Sequence, residues 1–149
     1  MAHQTNEESI DFLLVQVSKL HRSRAHHLLE SLGLYRGQPH VLRALWEREG
    51  MTHSELAAQL QVQPATITKM IQRMEKAGFV ARRPDPKDQR VSRVYLTEAG
   101  HEVQGKVEQV WRTLEDEAFA GFTFEERILL RRFFLQMREN LSRAGESKR

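Results

Sequence analysis

Between Thr52 and Gly78 the chain is punctuated so tightly that few folds remain open to it. Thr52 and Glu55 stand as a capping box, with the threonine hydroxyl placed for the Glu55 amide and the glutamate able to reach back. The short helix this starts, 53–60, turns Leu56, Ala57 and Leu60 inward. Only Gln61, Val62 and Gln63 separate it from Pro64, which suits the first position of a second helix. Ile67, Met70, Ile71 and Met74 form the inward stripe of that helix, and Gly78 stands where a left-handed C-terminal cap belongs. Two helices on so short a tether, each with one apolar stripe, make a helix-turn-helix. The period then changes. Phe79 to Arg83 reads as a strand, Pro84-Asp85-Pro86-Lys87-Asp88 as turn chemistry, and Val91 to Leu96 as the return strand. A hairpin in this place makes the motif a winged helix.

Helical patterns flank the motif on both sides. From about 7 to 32, Ile10, Leu13, Leu14, Val17, Leu20, Leu28, Leu29 and Leu32 recur at spacings of three and four, and Gly33 stops them. A helix from Pro39 to Arg48 carries Val41, Leu42, Leu45 and Trp46 on its apolar face and ends at Gly50. Thr97 caps a long helix expected over 98–119, with Val103, Val107, Val110, Trp111, Leu114 and Ala118 on one side. Gly121 breaks it, and Thr123 with Glu126 forms a second capping box. The last helix bears Ile128, Leu130, Phe133, Phe134, Met137 and Leu141, and the polar tail from Ser142 to Arg149 is expected to fray. The fold class is mainly α with a small β-hairpin wing. Three regions follow: a first helix over 1–36, a winged helix-turn-helix lobe over 37–97, and C-terminal helices over 98–149. Phe133, Phe134, Leu130 and Met137 are more apolar than one small lobe can use. They pack either on a second copy of the chain or on the 98–119 helix.

Composition excludes more than it selects. The 149 residues contain no cysteine, which removes disulfides, thiolate zinc sites, a cysteine nucleophile and a thiol redox switch. Charged residues make up 29% and the mean hydropathy is −0.59, the balance of a soluble globular chain. No apolar run approaches the about 18 residues of a membrane span. Met1 to Ser9 is polar with two glutamates, unlike a signal peptide, so a cytoplasmic protein without membrane partners is expected. There is no GxSxG, P-loop, HExxH or dinucleotide fingerprint, so an enzyme is not expected.

The net charge of +3 says little until it is resolved by position. Residues 61–95 hold eight cations (Lys69, Arg73, Lys76, Arg82, Arg83, Lys87, Arg90, Arg93) against Glu75, Asp85 and Asp88, a net +5 that leaves −2 for the rest. On the second helix of the motif, Ala65, Thr66, Thr68, Lys69, Gln72, Arg73 and Lys76 point outward. Small and hydroxyl residues near its start allow close entry to a major groove, and the longer side chains can reach bases or phosphates. Gln61 and Gln63 flank the turn. The concentration fits a surface that neutralises phosphates; alone, it also fits an ordinary solvated face.

Several stretches together resemble the MarR family of transcriptional regulators. They are Ser54-Glu55-Leu56-Ala57, Pro64 to Lys69, Met74 to Val80, Asp85 to Arg90, and Leu96-Thr97-Glu98-Ala99-Gly100. The resemblance covers about residues 39–100, and its most specific piece is Asp88-x-Arg90 followed by Leu96-Thr97. It implies a homodimer clasped by the terminal helices and bound to a pseudo-palindromic double-stranded operator, commonly as a repressor released by a small ligand. Arg90 is thereby expected in the minor groove with Asp88 as its partner, and Arg82, Arg83, Lys87 and Arg93 beside it on the wing. Gln63, Thr66, Thr68, Lys69, Gln72 and Arg73 are expected to face DNA from the recognition helix. Gln63 stands where the family often has serine or another capping residue, and Gln72 where an acid is frequent. The competing reading is a winged helix used for protein contact without direct DNA function.

The family's ligand cleft lies between the outer helices and the DNA lobe. His21, Arg24, Tyr35 and Trp46 are the expected pocket residues for a small aromatic or anionic effector, although His21 also suits a core or interface position. No cofactor is expected. His26 and Glu30 stand at i and i+4 beside His27, and His40 or His101 could join them, but no third ligand stands at a defined spacing, so no metal site is assigned.

Overall fold

The computed structural model describes residues 9–146 and is mostly helical with one small sheet. The expectations placed on Met1 to Glu8 (no signal peptide, and the first turn of the helix expected from about residue 7) and on Ser147 to Arg149 lie outside the described residues. The elements in chain order are α1 (Ile10–Glu30), α2 (Gln38–Glu47), β1 (Met51–Thr52), α3 (His53–Leu60), α4 (Pro64–Lys76), β2 (Val80–Pro84), β3 (Ser92–Leu96), α5 (Glu98–Glu102), α6 (Gln104–Ala118) and α7 (Phe124–Glu146). They fall into two units, one ending at Leu114 and one beginning at Glu115.

The punctuation of the motif is visible atom by atom. Thr52 Oγ1 accepts from Glu55 N at 3.1 Å, and Thr52 N donates to Glu55 Oε2 at 2.9 Å. Gln61 closes α3 in the left-handed region, the one non-glycine with positive φ among the described residues. Val62 N then folds back on Ala57 O at 3.1 Å. At the end of α4, Phe79 N reaches Met74 O and Gly78 N reaches Glu75 O, with Gly78 at φ 88°. This is the Schellman arrangement that glycine permits. The Leu96-Thr97-x-x-Gly100 sequence has an equally concrete cause. Thr97 Oγ1 caps α5 through Gly100 N at 3.1 Å and donates to Gly78 O at 2.5 Å. A Cβ on Gly100 would collide with the Phe79 carbonyl, so only glycine lets α5 lie against the chain leaving α4.

The core of the first unit is continuous. Leu34, Val41, Leu42, Leu45, Leu56, Ile67, Ile71, Met74, Val94 and Val107 have no exposed surface. At roughly 1.5–3 kcal/mol per buried aliphatic side chain, this cluster dominates the lobe's stability. The sheet has order β1-β3-β2 and is antiparallel throughout, with Val80 opposite Leu96 and Pro84 opposite Ser92. β1 went unnoticed in the sequence because two residues carry no periodicity; it pairs Met51 with Val94 and Thr52 with Arg93.

Two boundaries differ from expectation. The helix expected over 98–119 is two helices, turned at Val103, whose N–H is shared between Ala99 O and His101 O. That turn buries Val103 as well as Val107. The tail after Asn140 does not fray at once, since α7 continues to Glu146 with an Arg143–Glu139 ion pair one turn apart. In the second unit, Thr123 and Glu126 make the expected capping box, at 3.1 and 2.9 Å. No residue of α7 is buried. Phe133 and Phe134 are 52% and 42% exposed.

Candidate nucleic-acid interface

α4 is split lengthwise. Ile67, Ile71 and Met74 anchor one side in the core, while Thr66, Lys69, Gln72, Arg73 and Lys76 are exposed on the other. Gln63 holds the N-cap position but makes no side-chain cap, and Pro64 follows it. The start of α4 therefore remains open to an acceptor such as a phosphate. Thr68 departs from its expected outward setting. It is half-buried, with Oγ1 3.2 Å from His53 Nδ1 on α3. His53 Nε2 is buried without a partner among the described residues. Burial, followed by the Arg82 guanidinium, holds the His53 pKa below its ordinary value, against the opposing pull of Glu75. Sequence reasoning missed His53, because nothing in its spacing marks a contact fifteen residues away.

Each of the three acids in the basic segment is committed to one arginine. Glu75 receives Arg82 through Nη2 at 2.9 Å, tying the end of α4 to β2. Asp85 receives Arg93 Nε at 2.6 Å. Asp88 receives Arg90 Nε at 3.0 Å and Nη2 at 3.2 Å, a two-toothed pair. The Arg82 guanidinium lowers the Glu75 pKa, and Arg90 lowers that of Asp88. For Asp85 the larger cause is the Lys87 N–H, followed by Arg93. What remains of the net +5 is then identified residue by residue. Lys69, Arg73, Lys76, Arg83 and Lys87 have no acidic partner among the described residues. Arg83 lies over the Tyr95 ring at 5.0 Å. Arg82 and Arg93, expected among the outward wing cations, have their guanidinium groups engaged within the fold. Arg90 is paired yet 91% exposed at the wing tip.

Cavities also open in the first unit. One, of about 630 Å³, is walled by Lys19, Arg22, His26, Tyr35, Arg36, His40 and Trp111. The second, about 590 Å³, shares His26, Tyr35 and Arg36 with it and extends to Thr66, Lys69 and Arg73 on α4. Neither wall contains a carboxylate. Gln38 Oε1 accepts from Tyr35 N at 3.1 Å, steadying the loop that carries Tyr35 and Arg36. Of the four expected pocket residues only Tyr35 lines these cavities. Lys19, Arg22 and His26 share one face of α1 by their spacing, and His21 and Arg24 fall on other faces. Trp46 is a brace, with Nε1 donating to Gly100 O at 2.9 Å. His40 stacks on Trp111 at 6.0 Å between centroids. Among the described residues no three His, Asp or Glu side chains converge as a metal site, and no helix is long and apolar enough to cross a membrane.

The MarR family model matches residues 34–92. The HTH-type transcriptional regulator TtmR of Methylorubrum extorquens is 33% identical over 72% of this chain and 55% of its own length. The uncharacterized HTH-type transcriptional regulator YwoH of Bacillus subtilis is 33% identical over 81% of this chain and 90% of its own. This chain belongs to the MarR family. The solved structure of the MarR protein from Peptoclostridium difficile superposes with a TM-score of 0.81, at 26% identity, over 100% of this chain and 99% of that one. The chain is a DNA-binding transcriptional regulator of this family rather than an enzyme.

Proposed function

We propose that this chain acts as a cytoplasmic homodimer on a pseudo-palindromic operator, as a repressor released by a small anionic or aromatic ligand. The observation that carries the reading is the commitment of each acid to one arginine. It leaves five cations on α4 and the wing without an acidic partner, where phosphates can neutralise them. The open start of α4 and its exposed Thr66, Lys69, Gln72 and Arg73 suit a major groove. The two α4 helices of a dimer would then occupy successive grooves about 10 bp apart. Arg90, held out from the wing by Asp88, suits a narrow minor groove, whose negative potential draws guanidinium. The uncovered apolar faces of α1 and α7 support the dimer. The carboxylate-free cavities support an anionic ligand, with Tyr35 and Trp111 as aromatic wall. The reading as a protein-interaction module has no comparable use for these cations.

Binding of duplexes selected from a random pool tests the reading. Arg90→Ala should weaken binding and relax the preference for an A·T-rich flank. Lys69→Ala or Arg73→Ala should cost about 1–3 kcal/mol if they read bases, or lower the salt slope by about one if they touch phosphate. Binding unchanged in all three variants would sink the assignment.

A further inference from the structure

Arg93 sits in β3, the central strand of the sheet, opposite Arg83 on β2 and Thr52 on β1. Two arginines directly across a ladder repel unless something neutralises one of them. Here Arg93 is half-buried and its guanidinium is engaged by the fold. Its Nε donates to Asp85 Oδ2 at 2.6 Å, and its Nη1 donates to Gly50 O at 2.7 Å. Asp85 is itself buried, at 8% exposure. Its other oxygen, Oδ1, accepts from Lys87 N at 2.7 Å and from Asp88 N at 3.3 Å. Asp88 Oδ1 in turn accepts from Arg90 N at 3.1 Å, and its carboxylate holds the Arg90 guanidinium by two bonds. An unbroken series of hydrogen bonds thus runs from the Gly50 carbonyl, between α2 and β1, through Arg93, Asp85 and Asp88 to the exposed tip of Arg90.

We propose that Arg93 is a positioning residue for Arg90: its planar fork braces the base of the wing against Gly50 and, through Asp85, fixes the turn that aims the Arg90 guanidinium. The proposal rests on the reading of Arg90 as the wing's DNA contact. Two features make the brace specific. The donors used, Nε and Nη1, lie on different edges of one rigid plane and serve acceptors from separate elements. A lysine, with one ammonium on a flexible stem, cannot reproduce that span. In addition, Asp85 accepts bonds on both oxygens, so the turn and the strand are set by one carboxylate.

The test combines DNA binding with a direct readout of the tip. Arg93→Met keeps the stem and removes the fork, and Arg93→Lys keeps the charge. With thermal unfolding as the check on folding, Arg93→Met should weaken operator binding about tenfold and reduce the preference for an A·T-rich flank, as a lost specific contact does. In an Arg90→Ala background the same change should add less than about twofold, because coupled residues are not additive. Arg93→Lys should fall between the wild type and Arg93→Met. The Nε–H relaxation of Arg90 by NMR should show a rigid tip in the wild type and a mobile one in Arg93→Met. If the Arg93 and Arg90 effects multiply, or the flank preference survives Arg93→Met, the positioning role is overturned. If Arg90→Ala alone leaves DNA binding unchanged, the DNA role of Arg90 fails, and the NMR comparison still decides the brace. An Arg90 tip equally rigid in both proteins overturns it. Should Arg93→Met fail to fold, Arg93→Lys with the same relaxation measurement takes its place.

Discussion

The winged-helix lobe and the last helix solve the same problem in opposite ways. α4 is 13 residues long and puts Ile67, Ile71 and Met74 fully inside its own unit. α7 is 23 residues long, bears Ile128, Leu129, Phe133, Phe134 and Leu141, and buries none of them. The first has a complete core and uses its remaining face for charge. The second covers Leu130, Leu135 and Met137 only in part and leaves its other large apolar side chains exposed. Exposed large apolar patches on a helix call for a partner, and the proposed dimer would supply one.

The sharpest way to break the comparison is inside the lobe. Ile71→Ala should destabilise the protein by about 2–5 kcal/mol, since it opens a cavity in a close-packed core. Urea unfolding of the variant at saturating protein concentration measures it; a loss well under that range would mean the lobe's core is looser than its burial implies. The counterpart lies on α7. Phe133→Glu should shift the sedimentation profile from dimer toward monomer while the α4 lobe keeps its helical signal, weakening self-association by about 2 kcal/mol or more if Phe133 is a central anchor. An unchanged dimer would place the self-association surface elsewhere.

The smallest effect concerns His53, beneath α4. Its folded pKa lies below the ordinary value, so the unfolded chain takes up the proton first. Stability from this group is therefore full above about pH 6.5 and falls as pH drops from there through the lower folded value. Glu75, Asp85 and Asp88, whose pKa values are also lowered, lose their contributions only in the more acidic range below their ordinary 4.5 and 3.8. Urea midpoints at pH 7.5 and pH 5.5 should differ more in the wild type than in His53→Phe. Equal differences would remove His53 as the cause.

Much of this was legible in the residues. Capping boxes, Pro64 and the Gly78 cap are local devices: each works through atoms within a few residues of one another, so their spacing in the chain is their geometry in space. The α4 stripe and the Asp88–Arg90 pair belong to the same class. Most features that the residues did not reveal involve partners far apart in the chain, the turn at Val103 being a local exception. Lys19, Arg22 and His26 line one cavity with Tyr35, a wall that spacing along α1 alone does not reveal. The bond from the Trp46 indole N–H to Gly100 O joins residues 54 positions apart, beyond any local pattern. Thr68 looked outward until His53 was placed beside it.

Charge shows the division most clearly. By itself the sequence determined that a net +5 falls on residues 61–95, because counting needs no coordinates. It also determined the winged-helix order of elements, because periodicity and caps act over single turns. Only the tertiary structure decided which cations are spent. The hairpin register brings Asp85 beside Arg93, and the packing of β2 on α4 brings Glu75 beside Arg82. Those pairings turn eight cations into two braces, one aimed wing tip and five unneutralised charges. Ion pairing depends on distances of a few ångströms between side chains, and the fold alone sets them.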